Sequence, residues 1–167
     1  MDGIDPHLGR LGRIYTHCGG MIENNYFGTH VFMDLCEQLG CEPYICGNVG
    51  SGSVREMQQW FECLTSDGDD IMAELRRASG REKPCAIQFY GVGNENWGCG
   101  GNMRREYCAD LYRRYAMYLH NFAGSKLYRI ACSPNSGDYE WPPTLMEWVG
   151  RQGRSMEALS LKGGWIS

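Results

Sequence analysis

The sequence predicts an α/β fold built on part of a (β/α)8 barrel, and three observations lead to this fold class. Apolar segments with helical and strand periods alternate along the chain, as in βαβ units around a parallel sheet. Polar residues follow the strands directly, where such barrels carry their active sites. The chain has 167 residues, whereas a complete barrel needs about 250. We therefore expect roughly half of a barrel.

Four helices and four strands are predicted in strict alternation, starting with a helix. Helical spacing of apolar residues predicts helices at residues 28–40, 53–64, 103–122 and 144–149. Short apolar runs predict strands within residues 41–50, 86–92, 128–133 and 158–161. Units of this kind connect in the right-handed sense and build a parallel sheet.

The first helix has signals at both of its ends. Thr29 is expected to cap its start, and Gly40 is expected to end it. Its apolar side is expected to carry Val31, Leu35 and Leu39, with Phe32 and Cys36 beside them.

The second and third helices also carry local signals. Ser53 and Glu56 have the spacing of a capping box, in which each side chain accepts the other residue's backbone amide. The expected apolar stripe of the third helix is Met103, Tyr107, Leu111, Tyr115 and Leu119. Helical spacing also places three tyrosines in the core or in helix packing: Tyr112, Tyr115 and Tyr118.

An open, doubly wound sheet is the main alternative fold. Such sheets usually carry a phosphate-binding loop, but the sequence has no Gly-x-Gly-x-x-Gly. The run from Gly50 to Ser53 also has no lysine that would make it a Walker loop. The barrel is therefore favoured.

Composition and charge exclude several classes of protein. The chain is 43% hydrophobic and 22% charged, so disorder is excluded, and its net charge of −4 disfavours nucleic-acid binding. The arginine pairs, such as Arg76 with Arg77, are interpreted as solvated helix faces. The sequence has no apolar run of about 20 residues and no signal-peptide pattern at its N-terminus. We therefore expect no nucleic-acid or membrane partner and a cytoplasmic location.

The nine cysteines are expected to be free thiols, because their number is odd. No two of them have Cys-x-x-Cys spacing, and His17 and His30 are expected on a loop or a helix surface. We therefore expect neither a metal site nor a cofactor. A cysteine-rich metal or redox protein stays open as an alternative, which zinc analysis would decide.

The strongest candidate for chemistry is Glu95, which directly follows the predicted strand 86–92. A half-buried carboxylate near an aromatic ring has a raised pKa and can protonate a leaving oxygen. Asn94 would bind a sugar hydroxyl, and Trp97 would offer an apolar surface to a sugar ring. In the competing interpretation, Glu95 only satisfies loop amides. Asn48, at the end of the preceding strand, either reaches substrate or forms a turn.

The segment Gly-Val-Gly-Asn-Glu-Asn-Trp-Gly-Cys-Gly-Gly, residues 91–101, carries a resemblance to a known family. Together with residues 25–36, 42–52 and 107–115, it resembles the middle of an α-L-arabinofuranosidase of glycoside hydrolase family 51. The resemblance extends from about residue 2 to about residue 161. It implies barrel strands 3 to 6, and it implies that residues 1–167 form one incomplete catalytic domain.

The resemblance implies a retaining hydrolase that releases terminal arabinofuranosyl units from arabinose-containing oligosaccharides without a cofactor. Glu95 matches the acid/base, and Asn94 matches the residue that holds the sugar's 2-hydroxyl. The family's nucleophile context, Asp-Glu-Trp-Gly on the seventh strand, does not occur in this sequence. We therefore expect no nucleophile in this chain and little activity from it alone.

Two departures from the family pattern bear on the sugar pocket. Cys18 stands where the family usually has a tryptophan, and Lys162 replaces a histidine that faces the substrate. A non-catalytic carbohydrate-binding or assembly remnant is the alternative function. Half a barrel leaves open sheet edges and an uncovered inner face, so we also expect self-association.

Overall fold

The computed structural model describes residues 13–15, 21–120, 122, 126–135, 137–150 and 156–160. In chain order its elements are β1 Arg13–Tyr15, β2 Met21–Glu23, α1 Thr29–Leu39, β3 Tyr44–Gly47, α2 Val54–Thr65, α3 Ile71–Ala78, β4 Phe89–Val92, α4 Arg105–Ala116, β5 Tyr128–Ala131, α5 Trp141–Gly150 and β6 Ala158–Leu159. Among these described elements no helix is long and apolar enough to cross a membrane.

The chain divides into two compact units, each made of three segments. The first unit comprises Met1–Pro43, Gln59–Ile87 and Asn121–Ser125, and the second comprises Tyr44–Gln58, Gln88–His120 and Lys126–Ser167. The first contains the antiparallel β1–β2 pair, α1 and α3, and the second contains a four-stranded sheet, α4 and α5.

The sheet of the second unit is parallel throughout, with the strand order β3-β4-β5-β6. The predicted sheet, with its four strands in sequence order, is therefore confirmed for the described residues. Its register aligns Tyr44 with Phe89 and Phe89 with Tyr128. Since side chains alternate along a strand, these three residues share one face of the sheet.

The opposite face of the sheet is buried. It carries four buried side chains: Ile45, Tyr90, Val92 and Ala131. Helix α4 contacts both β4 and α5. The hydroxyl of Tyr112, on α4, donates to the carbonyl of Arg129 at 3.2 Å. Burial raises the pKa of Tyr112, which therefore stays a neutral donor.

Helix α1 has the predicted end but a different start and a different buried side. Gly40 is left-handed, and its amide and that of Cys41 bond back to the last turn in a Schellman motif. Gly28 rather than Thr29 is the N-cap, and Thr29 instead accepts a bond from the Trp60 indole at 3.3 Å.

The buried side of α1 consists of His30, Met33 and Cys36. The predicted side was wrong for two residues, since Leu39 is 69% exposed and Leu35 is also exposed, whereas Cys36, predicted beside them, is buried. Apolar residues occupy a wide arc of this helix opposite Asp34, Glu37 and Gln38, so their spacing could not select which part of that arc is buried. His30 is therefore buried and not on the helix surface, whereas His17 and Cys18 lie outside the described residues.

The capping box that opens α2 is confirmed. The amide of Ser53 donates to Oε2 of Glu56 at 2.7 Å, and the amide of Glu56 donates to Oγ of Ser53 at 3.2 Å. Helix α4 is shorter than predicted, and its buried side carries Cys108, Tyr112 and Tyr115, whereas Tyr107 is exposed.

Three further predictions need correction. Tyr118 is 47% exposed and lies beyond the end of α4, so it is not in the core. Helix α5 begins at Trp141, three residues before the predicted start. Arg76 is fully buried, and its Nη1 donates to backbone carbonyls that replace water. The prediction that it lies on a solvated helix face is therefore wrong.

Candidate active site

The candidate site lies in the second unit, at the edge where the four parallel strands end. Parallel strands bring their carboxyl ends to one edge, so the loops after β3, β4 and β5 gather there. The backbones of two of these loops touch: a Cβ at Gly50 would collide with the carbonyl of Gly100. Glycine at position 50 therefore allows the loops after β3 and β4 to pack directly.

Glu95 follows β4 by three residues and is held in an unusual backbone conformation. Its φ is 49°, in the left-handed region, and Gly93 two residues earlier has a φ of 89°. The carbonyl of Glu95 accepts the amides of Gly98 at 2.8 Å and Gly100 at 3.0 Å. Non-glycine residues in this region are uncommon and concentrate at functional sites, where the surrounding bonds hold them in place.

The side chain of Glu95 is half-buried, and its carboxylate is hydrogen-bonded within its own turn. The thiol of Cys99 donates to Oε2 of Glu95, with the two atoms 3.0 Å apart. Cys99 itself is exposed. The sequence interpretation missed this contact, because it depends on how the turn closes.

Asn94 and Asn96 flank Glu95 but face different surroundings. Asn94 is exposed, whereas Asn96 is buried. The backbone N–H of Asn96 donates to Sγ of Cys132 at 3.4 Å, and its side-chain Nδ2 donates to Sγ of Cys108 at 3.2 Å. Asn96 thus ties the loop after β4 to α4 and to the residue after β5, which leaves Asn94 and Glu95 on the accessible side.

Trp97 is half-buried, two residues after Glu95. Its Nε1 is buried and has no hydrogen-bond partner within the described part of the chain. A buried indole N–H without a partner is a donor that a ligand or an ordered water can satisfy.

Asn48 lies just beyond β3 and is exposed. Its Oδ1 accepts the amides of Gly50 at 3.0 Å and Ser51 at 3.1 Å, while its Nδ2 donates to Oγ of Ser51 at 2.8 Å. Both ends of its amide group therefore already stabilise the loop. This geometry favours the turn-forming alternative for Asn48.

Polar groups after β5 and β6 complete this edge of the sheet. Oγ of Ser160 donates to the carbonyl of Ala131 and accepts the amide of Ser133, both at 3.2 Å. The indole of Trp141 donates to the carbonyl of Cys132 at 3.1 Å. These bonds fix the start of the loop after β5.

Tyr44 is a further polar group that sequence reasoning did not single out. Burial and the neighbouring Cys46 raise the pKa of its hydroxyl, which also bonds with Ser160, so the group stays neutral at physiological pH.

The described residues contain no group of three or more His, Cys, Asp or Glu side chains that could hold a metal ion.

The fold and this edge together define a class of protein. A half-buried carboxylate at the carboxyl end of a parallel strand, with an amide before it and an indole after it, occupies the position where (β/α)8 enzymes carry their active sites.

The comparison with family models identifies the particular family. Residues 2–136 match the family described as "Alpha-L-arabinofuranosidase 1 domain". The chain belongs to the α-L-arabinofuranosidases of glycoside hydrolase family 51.

Curated relatives agree with this assignment. The chain is 53% identical over 161 residues to an intracellular exo-α-L-arabinofuranosidase from Bacteroides ovatus, a match that covers 96% of this chain and 31% of that protein. It is 43% identical over 98 residues to a probable α-L-arabinofuranosidase C from Aspergillus fumigatus, covering 59% of this chain and 19% of that one.

Solved structures agree as well. The family 51 arabinofuranosidase from Xanthomonas axonopodis pv. citri superposes with a TM-score of 0.88 at 43% identity, covering 98% of this chain and 34% of that one. An arabinose complex of the Thermotoga maritima enzyme gives a TM-score of 0.79 at 30% identity, covering 89% and 30% of the respective chains. The predicted fold class, a partial (β/α)8 barrel, is confirmed. The chain spans about a third of the length of these relatives.

Proposed function

We propose that this chain carries the acid/base part of a retaining α-L-arabinofuranosidase site, with Glu95 as the acid/base. The observation that supports this most is the position of Glu95: half-buried, in a left-handed conformation, three residues after the end of a central strand of the parallel sheet. In the first step Glu95 protonates the departing glycosidic oxygen. In the second, as a carboxylate, it removes a proton from the attacking water.

Three further residues are proposed to bind the sugar. Asn94 is exposed beside Glu95, so its amide can bond the 2-hydroxyl of the arabinofuranosyl ring. Trp97 is half-buried two residues after Glu95, and its ring is proposed to pack against the sugar. Asn48 belongs to the same edge, and reaching substrate would require it to exchange one of its loop bonds.

The covalent step needs a second carboxylate about 5 to 5.5 Å from the first. The family's Asp-Glu-Trp-Gly context for this nucleophile does not occur in the printed sequence. We therefore expect the 167 residues alone to hydrolyse an aryl α-L-arabinofuranoside at a negligible rate, because losing a nucleophile removes the reaction path itself.

The test supplies the nucleophile by grafting residues 2–161 into a complete family 51 enzyme. Glu95→Ala in this chimaera should slow substrates with poor leaving groups by about 100-fold or more, and activated aryl substrates far less in the glycosylation step. The exposed Glu74, on α3, provides the matched control Glu74→Ala, which should change neither rate. An equal loss on both substrates would assign Glu95 a structural role.

The proposed substrates are arabinose-containing oligosaccharides, and the proposed location is the cytoplasm. The Bacteroides ovatus relative is named an intracellular exo-α-L-arabinofuranosidase, which supports both proposals. We also propose that residues 1–167 form one incomplete catalytic domain and that the isolated chain self-associates through its sheet.

A further inference from the structure

The contact between Cys99 and Glu95 is fixed by the backbone of the turn. Besides the two amides that bond to the carbonyl of Glu95, the amide of Asn102 bonds to the carbonyl of Gly98 at 2.7 Å. A Cβ at Gly100 would collide with the carbonyl of Asn94. The turn can therefore close in this form only with glycine at position 100, and closing it places Cys99 on the same side as Glu95.

The chemistry of the contact is directional. An ionised carboxylate only accepts hydrogen bonds, whereas a thiol has one weak donor and a weakly accepting sulfur. The thiol of Cys99 thus donates to Oε2 when Glu95 is ionised and can turn to accept when Glu95 is protonated. Bonding to the charged form favours that form.

We propose that Cys99 is a positioning residue for Glu95: its thiol holds the carboxyl group in both protonation states and favours the ionised state that acts as base. This role of Cys99 rests on the proposed function of Glu95 as the acid/base. The contact has two consequences that are measurable in the 167-residue chain without any turnover. The thiol of Cys99 favours ionisation of the Glu95 carboxyl group, and the Glu95 carboxylate slows alkylation of the Cys99 thiol.

The first experiment measures the rate at which iodoacetamide alkylates Cys99 at pH 8, read by mass spectrometry on the peptide that contains it. Only the thiolate reacts, and a carboxylate 3.0 Å away disfavours it. Glu95→Gln should therefore speed alkylation of Cys99 about three- to tenfold. Cys41, which is also exposed, should react at an unchanged rate.

The buried cysteines report on folding in the same digest. If Glu95→Gln unfolded the chain, Cys63, Cys108 and Cys132 would become alkylated as well. Faster alkylation confined to Cys99 supports the proposal. An unchanged rate at Cys99 relative to Cys41 overturns it.

The second experiment follows the carboxyl carbon of Glu95 by NMR as the pH changes. Cys99→Ala should raise the pH at which Glu95 is half-ionised by about half a unit, because the donor is lost. Cys99→Ser, which keeps a donor, should restore the original midpoint, and Cys41→Ala should leave it unchanged. An unmoved midpoint in Cys99→Ala would contradict the proposal. Neither readout depends on hydrolysis, so failure of the acid/base role in the chimaera would be a separate result.

Discussion

At the scale of single residues, Arg76 shows how one buried side chain stabilises the end of another element. Its Nη1 donates to the carbonyls of Cys63 at 2.8 Å and Ser66 at 2.6 Å. These carbonyls lie at the C-terminal end of α2, where helical carbonyls have no partner within the helix and the helix dipole is negative. A guanidinium supplies both the donors and the positive charge that this position needs.

We predict that Arg76→Met lowers the free energy of unfolding by about 3 kcal/mol, because it leaves buried carbonyls without donors. The neighbouring Arg77 makes one longer bond, of 3.4 Å to Gly68. Arg77→Met on the same helix should therefore change stability by less than about 0.5 kcal/mol. Urea unfolding followed by circular dichroism measures both. Equal effects of the two substitutions would show that the buried bonds of Arg76 contribute little.

Some residue roles could be predicted from sequence and others could not. Glu95 was identifiable because it follows an apolar run directly and lies among amides and glycines. Arg76 was not, since an arginine pair on a polar helix has the same pattern whether it is solvated or buried. The contact from Cys99 to Glu95 depends on the closed form of the turn, which composition alone does not determine.

At the scale of elements, α3 begins with an N-cap that is fully hydrogen-bonded to the first turn. Asp70 accepts the amides of Met72 and Ala73, both at 2.9 Å, and also a bond from the hydroxyl of Ser66. The bond from Ser66 is the largest cause that lowers the pKa of Asp70, and the two amides add to it. The cap is therefore strongest when Asp70 is ionised.

This cap predicts a pH dependence of stability. The pKa of Asp70 is lower in the folded state than in the unfolded chain, so its contribution is present above the unfolded value and is lost as the pH falls through the folded one. We expect the free energy of unfolding to fall between about pH 5 and pH 3, and to fall less steeply in Asp70→Asn. Asp69→Asn, at the exposed neighbour, should follow the wild-type curve in urea titrations at each pH. If the free energy of unfolding of Asp70→Asn fell with pH as steeply as that of the wild type, ionisation of Asp70 would not contribute to the pH dependence of stability.

The elements that were predicted have strong local signals, and those that were missed do not. The capping box predicted the start of α2, and an apolar run flanked by polar turns predicted β3. Helix α3 was missed because it has only eight residues, and its two buried positions, Ala73 and Arg76, carry no large apolar side chain. The strands β1 and β2 have three residues each, too few for alternation to be visible.

At the scale of the whole molecule, the parallel sheet has two unlike faces and, within the described residues, ends at β3 on one side and β6 on the other. One face is buried and the other carries Tyr44, Phe89 and Tyr128, with Tyr44 on the edge strand β3 and 44% exposed. Edge strands with exposed aromatic residues favour pairing with another chain. The parallel order was predictable because helices separate the four strands of the sheet along the chain, whereas the division into two units had no signal in composition.

We predict that the isolated chain self-associates at micromolar concentration and that Tyr44→Lys weakens this association by about tenfold. A lysine on an edge strand opposes strand pairing by charge and hydration. Tyr139, which is 83% exposed and precedes α5, provides the control Tyr139→Lys, which should have no effect. Sedimentation velocity at several concentrations measures the change. A monodisperse monomer at all concentrations would contradict the prediction.

Azide rescue of Glu95→Ala in the chimaera tests whether Glu95 is the acid/base of a retaining site. Without the acid/base, the glycosyl-enzyme accumulates because water lacks a base, but azide attacks without one. We expect azide to restore turnover of an activated aryl substrate and to give an α-configured arabinofuranosyl azide, because two inversions at the anomeric carbon retain its configuration. A variant that azide does not reactivate, or a β-configured azide, would contradict the acid/base role of Glu95.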